Sequence, residues 1–237
     1  VSASWTPPDP GQHWFRIENA RGKETHVYIY NEIGYWGITA DDFVNALDEI
    51  DTGRITLHIN SPGGSVFDGV SIYNALRDHP ARVDVMIDGV AASAASFIAM
   101  AGDTITMNRG SEMMVHNAHG LVVGDSIAMR EMASLLDRQN NKIAKIYSAR
   151  AGGPLNHWLA AMESETWYDP SEAVQAGLAD RAVIDHDAED NIAKTGRAAF
   201  DLSIYNYDGR RNAPPPQLHT DWGDPATTRH TPPPTPA

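Results

Sequence analysis

The sequence predicts an α/β fold of repeated βαβ units, and three observations predict it. β-branched and other apolar residues crowd 54–60 and 82–88, glycine follows each run closely, and helical spacing resumes after the glycine. Strand, helix and strand in that order make a crossover unit, which is normally parallel and right-handed. Two consecutive strands of such a unit end at one edge of the sheet, where ligand sites of parallel sheets lie. The turns Asn60-Ser61-Pro62-Gly63-Gly64 and Gly89-Val90-Ala91-Ala92-Ser93 are therefore expected side by side, although far apart in the chain.

Taken in order, residues 1–12 hold Pro7, Pro8 and Pro10 without periodicity and read as a disordered lead-in. Residues 14–17 and 26–30 read as strands, the second rich in β-branched and aromatic side chains. Thr39 is a good helix N-cap with Asp42 three residues on, and Phe43, Val44, Leu47 and Ile50 then share one face. Val66, Val70, Tyr73 and Leu76 mark the crossover helix after the diglycine turn. The alternation Val83, Val85, Ile87 marks the next strand, and the small residues from Ala91 to Ser96 open a close-packed helix.

Short strands are expected at Thr104–Met107 and Glu112–Val115. Helical spacing then runs over 125–150 through Ile127, Leu135, Ile143, Ile146 and Tyr147, until Gly152-Gly153-Pro154 stops it. At about 1.5 Å per residue such a helix is roughly 39 Å long, more than a small domain needs. Residues 158–162 and 171–176 read as short helices and 181–184 as a closing strand. The body thus covers 13–186, an extension covers 187–212, and 213–237 is expected to be disordered, holding eight of the fifteen prolines.

Thirty-one acidic against eighteen basic residues give a net charge of −13. An acidic body is poorly matched to nucleic acid phosphates or anionic membrane surfaces, so neither is an expected partner. With no cysteine there is no disulfide, thiol nucleophile or cysteine metal site. No apolar run has the length of a membrane span, and the first twenty residues lack the pattern of a signal peptide. The expected location is the cytoplasm.

The chemistry is expected at the two turns. Backbone N–H groups at the start of a helix lack intrahelical partners and gather partial positive charge. Ser93 beside such amides suggests a nucleophile for acyl transfer. The bland alternative is that Ala91 to Ser96 only lets a helix pack closely, and that Gly63-Gly64 is a turn needing positive φ.

At these residues the chain resembles the Clp protease (ClpP) family of serine peptidases, and within it the ClpP-related proteases that mature bacteriophage proheads. The matching text is Asn60-Ser61-Pro62-Gly63-Gly64, Gly89 to Ser93, Met113-Met114-Val115-His116, and Pro170-Ser171-Glu172-Ala173-Val174 leading into Gly177-Leu178-Ala179-Asp180. The resemblance spans roughly residues 25–185. It implies the ClpP/crotonase-type fold, with the long helix as a protruding handle by which two rings of subunits meet.

By the same resemblance, Ser93 is the nucleophile, His116 the base and Glu165 the acid that orients it, where the family commonly has aspartate. His119 is a rival base, and Glu163 and Asp169 are alternative acids. The N–H groups of Gly64 and Ala94 form the oxyanion hole. No metal or organic cofactor is implied. The resemblance further implies an ATP-independent endopeptidase in a heptameric ring or double ring, with polypeptide substrates such as scaffold, capsid or portal proteins. If phage-encoded, it would act in the host cytoplasm or inside the procapsid.

Four rival readings share parts of this text. One is a housekeeping ClpP-type subunit fed by an AAA+ unfoldase. The second is a signal-peptide-peptidase-like enzyme with Lys142 or Lys145 as base. The third is a crotonase-like acyl-CoA thioester enzyme, and the fourth an inactive assembly protein.

Overall fold

The computed structural model describes residues 15–18, 24–34, 39–183 and 200–218. The expected lead-in, the first half of the extension (187–199) and residues 219–237 lie outside the described residues. Four strands form the parallel centre of the sheet: β2 (Thr25–Ile29), β3 (Arg54–Ser61), β4 (Arg82–Ala92) and β5 (Thr104–Met107). β1 (Phe15–Glu18) adds antiparallel to β2, and β8 (Arg181–Ala182) adds parallel to β5. Six helices accompany them: α1 (Ala40–Asp48), α2 (Val66–Asp78), α3 (Ala94–Ala99), α4 (Ser126–Ala151), α5 (Leu155–Glu163) and α6 (Pro170–Gln175).

Period-two alternation decides which face of the sheet is buried. Ile55, Leu57 and Ile59 of β3 and Val83, Val85 and Ile87 of β4 all point into one core, joined by Phe43 and Leu47 of α1. α1 starts as its sequence dictates, with Thr39 and Asp42 forming a reciprocal capping box. α2 packs its expected face inward, with Leu76 buried and Val66, Val70 and Tyr73 partly buried against the core. Gly69, Ile72 and Leu76 are its buried residues, because Gly69 lets α2 approach Phe97 of α3, where a Cβ would come within 2.6 Å of the ring.

β4 also runs four residues beyond its expected end. Gly89 lies inside the strand, where Asn60 Oδ1 accepts the Val90 N–H at 3.1 Å and would stand 2.4 Å from any Cβ added at Gly89. Past that point β4 leaves β5 and pairs with β6 (Glu112–Val115), matching Val90 to Glu112 and Ala92 to Met114. β6 in turn carries an antiparallel strand that the sequence reading missed, β7 (Thr166–Tyr168).

α4 has the expected length, with Asp125 capping its first turn. Ile127 is 60% and Met129 54% exposed, whereas the buried residues begin at Gln139 and continue through Ile143, Ala144 and Tyr147. The first half stands off the body and the second half packs on it.

Residues 200–218 carry turns and bends but no helix or strand. Leu202 and Ala213 are nevertheless buried, in a second apolar cluster with Val90, Ala92, Met114 and Trp167. Leu218 packs against the main core. Packed chain therefore continues past residue 213, where disorder was expected to begin.

Candidate active site

The diglycine turn and the β4–α3 turn touch. Ser61 Oγ donates to the Asn31 carbonyl at 2.7 Å and accepts the Gly63 N–H at 3.1 Å, which fixes the start of the first turn. At Gly63 (φ +100) a Cβ would lie 2.6 Å from Ser93 Cβ and from the Ala92 carbonyl. Only glycine lets the two turns meet this closely. At Gly64 (φ +146) a Cβ would lie 2.1 Å from the Ile33 carbonyl. The bridge to Ile33 uses the Gly63 carbonyl and the Ser65 N–H, at 2.7 and 2.9 Å, so the Gly64 N–H takes no part in it. Ala94 opens α3, and its N–H can have no intrahelical partner.

Ser93 stands between these amides with φ 54 and ψ −121, a conformation rare for any residue but glycine. Several contacts hold it there. Its N–H donates to the Met114 carbonyl at 3.0 Å, and its carbonyl accepts the Ser96 hydroxyl at 2.6 Å. Ser96 Oγ also meets the buried Tyr147 Oη of α4 at 2.7 Å. Sequence reasoning missed this Ser96–Tyr147 brace, since nothing local marks a tyrosine fifty-one residues away.

His116 follows β6 directly, and its Nε2 lies 2.7 Å from Ser93 Oγ. Burial, and next the neighbouring His119, push its pKa down to about 4, so the ring is neutral near pH 7. A neutral imidazole facing a hydroxyl can accept its proton, provided the other ring nitrogen carries a hydrogen. The rings of His119 and Tyr205 pack on His116, with centroids at 5.2 and 5.1 Å. His119 contacts the imidazole, and the bond to Ser93 belongs to His116.

Glu165 is brought close but bonds elsewhere. Val115 and Thr166 are the last paired residues of β6 and β7, and His116 and Glu165 come next on each chain. The Glu165 carboxylate is 4% exposed and its backbone has φ 46. Its Oε1 accepts from Trp167 Nε1 at 3.2 Å and from the Tyr207 N–H at 2.9 Å, and its Oε2 from the Asn206 N–H at 2.8 Å. Among the described residues no carboxylate bonds to His116 Nδ1. Glu163 is exposed at the end of α5, and Asp169 caps α6 by accepting the Glu172 N–H at 2.8 Å. Lys142 and Lys145 are exposed on α4.

Tyr205 is a further residue at the site that the sequence did not reveal. Its hydroxyl donates to the Pro62 carbonyl at 2.5 Å, beside the diglycine turn. Burial pushes its phenol up to about 12. Among the described residues no group of three or more His, Asp or Glu is placed to hold a metal ion. No helix there is long and apolar enough to cross a membrane.

A serine bonded to a neutral imidazole, with two backbone amides beside it, is equipped for acyl transfer. Comparison with known proteins agrees. The family model described as Clp protease matches residues 10–187. The ATP-dependent Clp protease proteolytic subunit of Pleurastrum terricola is 33% identical over 185 residues, covering 73% of this chain and 91% of that protein. The proteolytic subunit of Chlorella vulgaris is 28% identical over 191 residues, covering 76% and 91%. Proteolytic subunit 1 of Gloeobacter violaceus is 29% identical over 186 residues, covering 74% and 91%.

Proposed function

The chain belongs to the Clp protease family of serine peptidases, and from that premise we propose that Ser93 is its nucleophile and His116 its general base. Ser93 Oγ attacks the scissile carbonyl while His116 Nε2 takes its proton and then passes it to the leaving amine. The Gly64 and Ala94 N–H groups receive the oxyanion, each worth about 2.7–4 kcal/mol of transition-state stabilisation. Water then releases the acyl-enzyme by the same proton route. Glu165 is the acid of the triad once its carboxylate, here bonded to Trp167, Asn206 and Tyr207, turns to accept the hydrogen of His116 Nδ1. The single observation that carries this reading is the 2.7 Å contact between Ser93 Oγ and His116 Nε2.

The substrates are polypeptides, and the finer reading is an ATP-independent endopeptidase that processes scaffold, capsid or portal proteins of a phage head. It would work as a ring or double ring in the host cytoplasm or inside the procapsid. The four sequence motifs quoted above support the Clp protease chemistry that this reading shares with the next, and the exposed first half of α4 suits a handle between rings. A second reading, a proteolytic subunit fed by an AAA+ unfoldase, is favoured by the names of the relatives, which are called ATP-dependent.

Reaction of the assembled protein with a fluorophosphonate probe, followed by mass spectrometry, tests the chemistry. A single adduct on Ser93, lost in Ser93→Ala and strongly reduced in His116→Ala, is expected. An adduct elsewhere, or none at all, would move the thioester-enzyme or inactive-scaffold reading ahead. Incubation with head proteins without ATP, or with a folded substrate plus an AAA+ unfoldase and ATP, separates the two substrate readings.

A further inference from the structure

The segment 200–213 lies across the site just described. Tyr205 reaches furthest in, its hydroxyl bonded to the Pro62 carbonyl at 2.5 Å and its ring set edge-on against His116. Next to it, the N–H groups of Asn206 and Tyr207 take both oxygens of Glu165. Leu202 and Ala213 cover Val90, Ala92, Met114 and Trp167, the apolar surface beside Ser93. Arg210 pins the end of the segment: its N–H donates to Glu112 at 3.1 Å, and its guanidinium forks onto Glu172 at 2.5 and 2.6 Å.

A peptide whose carbonyl is to reach Ser93 and the two amides needs the space that Tyr205 fills. A carboxylate that is to orient His116 must turn toward its Nδ1, whereas Asn206 and Tyr207 hold the Glu165 oxygens in other bonds. One segment obstructs both requirements. It has no helix or strand of its own, and its Ile204 is 67% exposed. Segments held by a few side-chain contacts and little buried area open at the low end of a protein's local stabilities.

We propose that residues 200–213 are an intramolecular strap seated on the enzyme's own peptide-binding surface, so that substrate binds only as the strap leaves. Its departure also frees Glu165, the next residue to His116 across the β6–β7 pair, to act as the positioning carboxylate. The closed arrangement is thus a stored, inactive form. This inference rests on the assignment of Ser93 and His116 above.

The test uses the full chain with Tyr205→Ala, Tyr205→Phe and Arg210→Ala. Three quantities are read: hydrogen exchange of the 200–213 amides, the rate of fluorophosphonate labelling at Ser93, and hydrolysis of a short fluorogenic peptide. Melting temperature and circular dichroism verify that each variant is folded, and Tyr205→Phe keeps the ring in place should the alanine variant fail. Expected are faster exchange in all three variants, and labelling and hydrolysis raised about tenfold in Tyr205→Ala and Arg210→Ala, with Tyr205→Phe between. Glu165→Gln should lower hydrolysis more in the Arg210→Ala background than in the parent, because only there does Glu165 reach His116.

Faster exchange with unchanged or reduced labelling would make the strap a structural support and overturn the proposal. So would unprotected 200–213 amides in the parent protein. Faster exchange with no variant ever labelled at Ser93 would instead refute the assignment of the nucleophile, and the strap's inhibitory role with it.

Discussion

The two flanks of Ser93 are held in opposite ways. On the glycine flank, backbone meets backbone: Gly63 touches Ala92 and Ser93, and Gly64 lies against the Ile33 carbonyl, with fully buried Ile33 behind it. On the acid flank, a remote segment without regular structure holds Glu165 by two N–H groups and meets His116 with a single ring. The first kind of contact cannot loosen without unfolding a sheet edge, whereas the second can be exchanged for others of the same kind. Oxyanion donors gain from being fixed in advance. A carboxylate on the second flank can be withheld and then supplied.

The largest effect that would sharpen this contrast is expected on the rigid flank. Gly64→Ala forces a Cβ to within 2.1 Å of a backbone carbonyl at a φ of +146, so the turn must move and its N–H with it. Loss of one oxyanion donor lowers turnover by about 10²–10³, and the displaced turn should lower the melting temperature as well. Peptide hydrolysis and thermal unfolding measure both. Turnover within a few-fold of the parent would mean that the glycine flank is as adjustable as the other.

A middle-sized effect belongs to His116, which lies between the flanks. Its folded pKa is depressed to about 4 from an ordinary 6.5. Between those values the unfolded chain binds a proton that the folded chain refuses. Stability is therefore intact above pH 6.5 and falls as the pH drops toward 4, by up to about 3 kcal/mol. His79, also lowered by burial, contributes with the same sign, so the check is a comparison of parent with His116→Asn by denaturant unfolding at several pH values. The variant should lose much of the slope. Arg210→Ala should also flatten it, because an opened strap lets water reach the imidazole. An unchanged slope in Arg210→Ala would detach the strap from the burial of His116.

The same contrast explains what the sequence revealed. Gly63, Gly64 and Ser93 announce themselves because the turns that need them are local, and the strands before them alternate cleanly. The capping box of Thr39 and Asp42 and the length of α4 are local in the same sense. β7 escaped notice because three residues are too few for a period, and it is a strand only through its pairing with β6. The strap escaped because Phe200 to Ala213 has no periodicity, and its contacts lie with Pro62, Glu165 and Glu172. Glu165 was found by its position relative to Glu172, yet no feature of the sequence shows where its oxygens point.

The smallest effect separates charge from geometry at the end of the strap. Arg210 presents two parallel N–H groups to the two oxygens of Glu172 and a third to the Ala213 carbonyl at 3.0 Å. Arg210 draws the Glu172 carboxyl below its ordinary range against the opposing effect of burial, as a close cation should. Arg210→Lys keeps that charge but not the fork, and a lysine ammonium cannot satisfy both oxygens and the carbonyl in one geometry. Partly exposed pairs of this kind are worth below about 1 kcal/mol. Labelling of Ser93 should therefore rise only about two- to threefold, well short of Arg210→Ala, and added salt should raise it further in the lysine variant than in the parent. If lysine opens the site as far as alanine does, the fork rather than the charge is the latch. If lysine changes nothing, the charge alone is the latch.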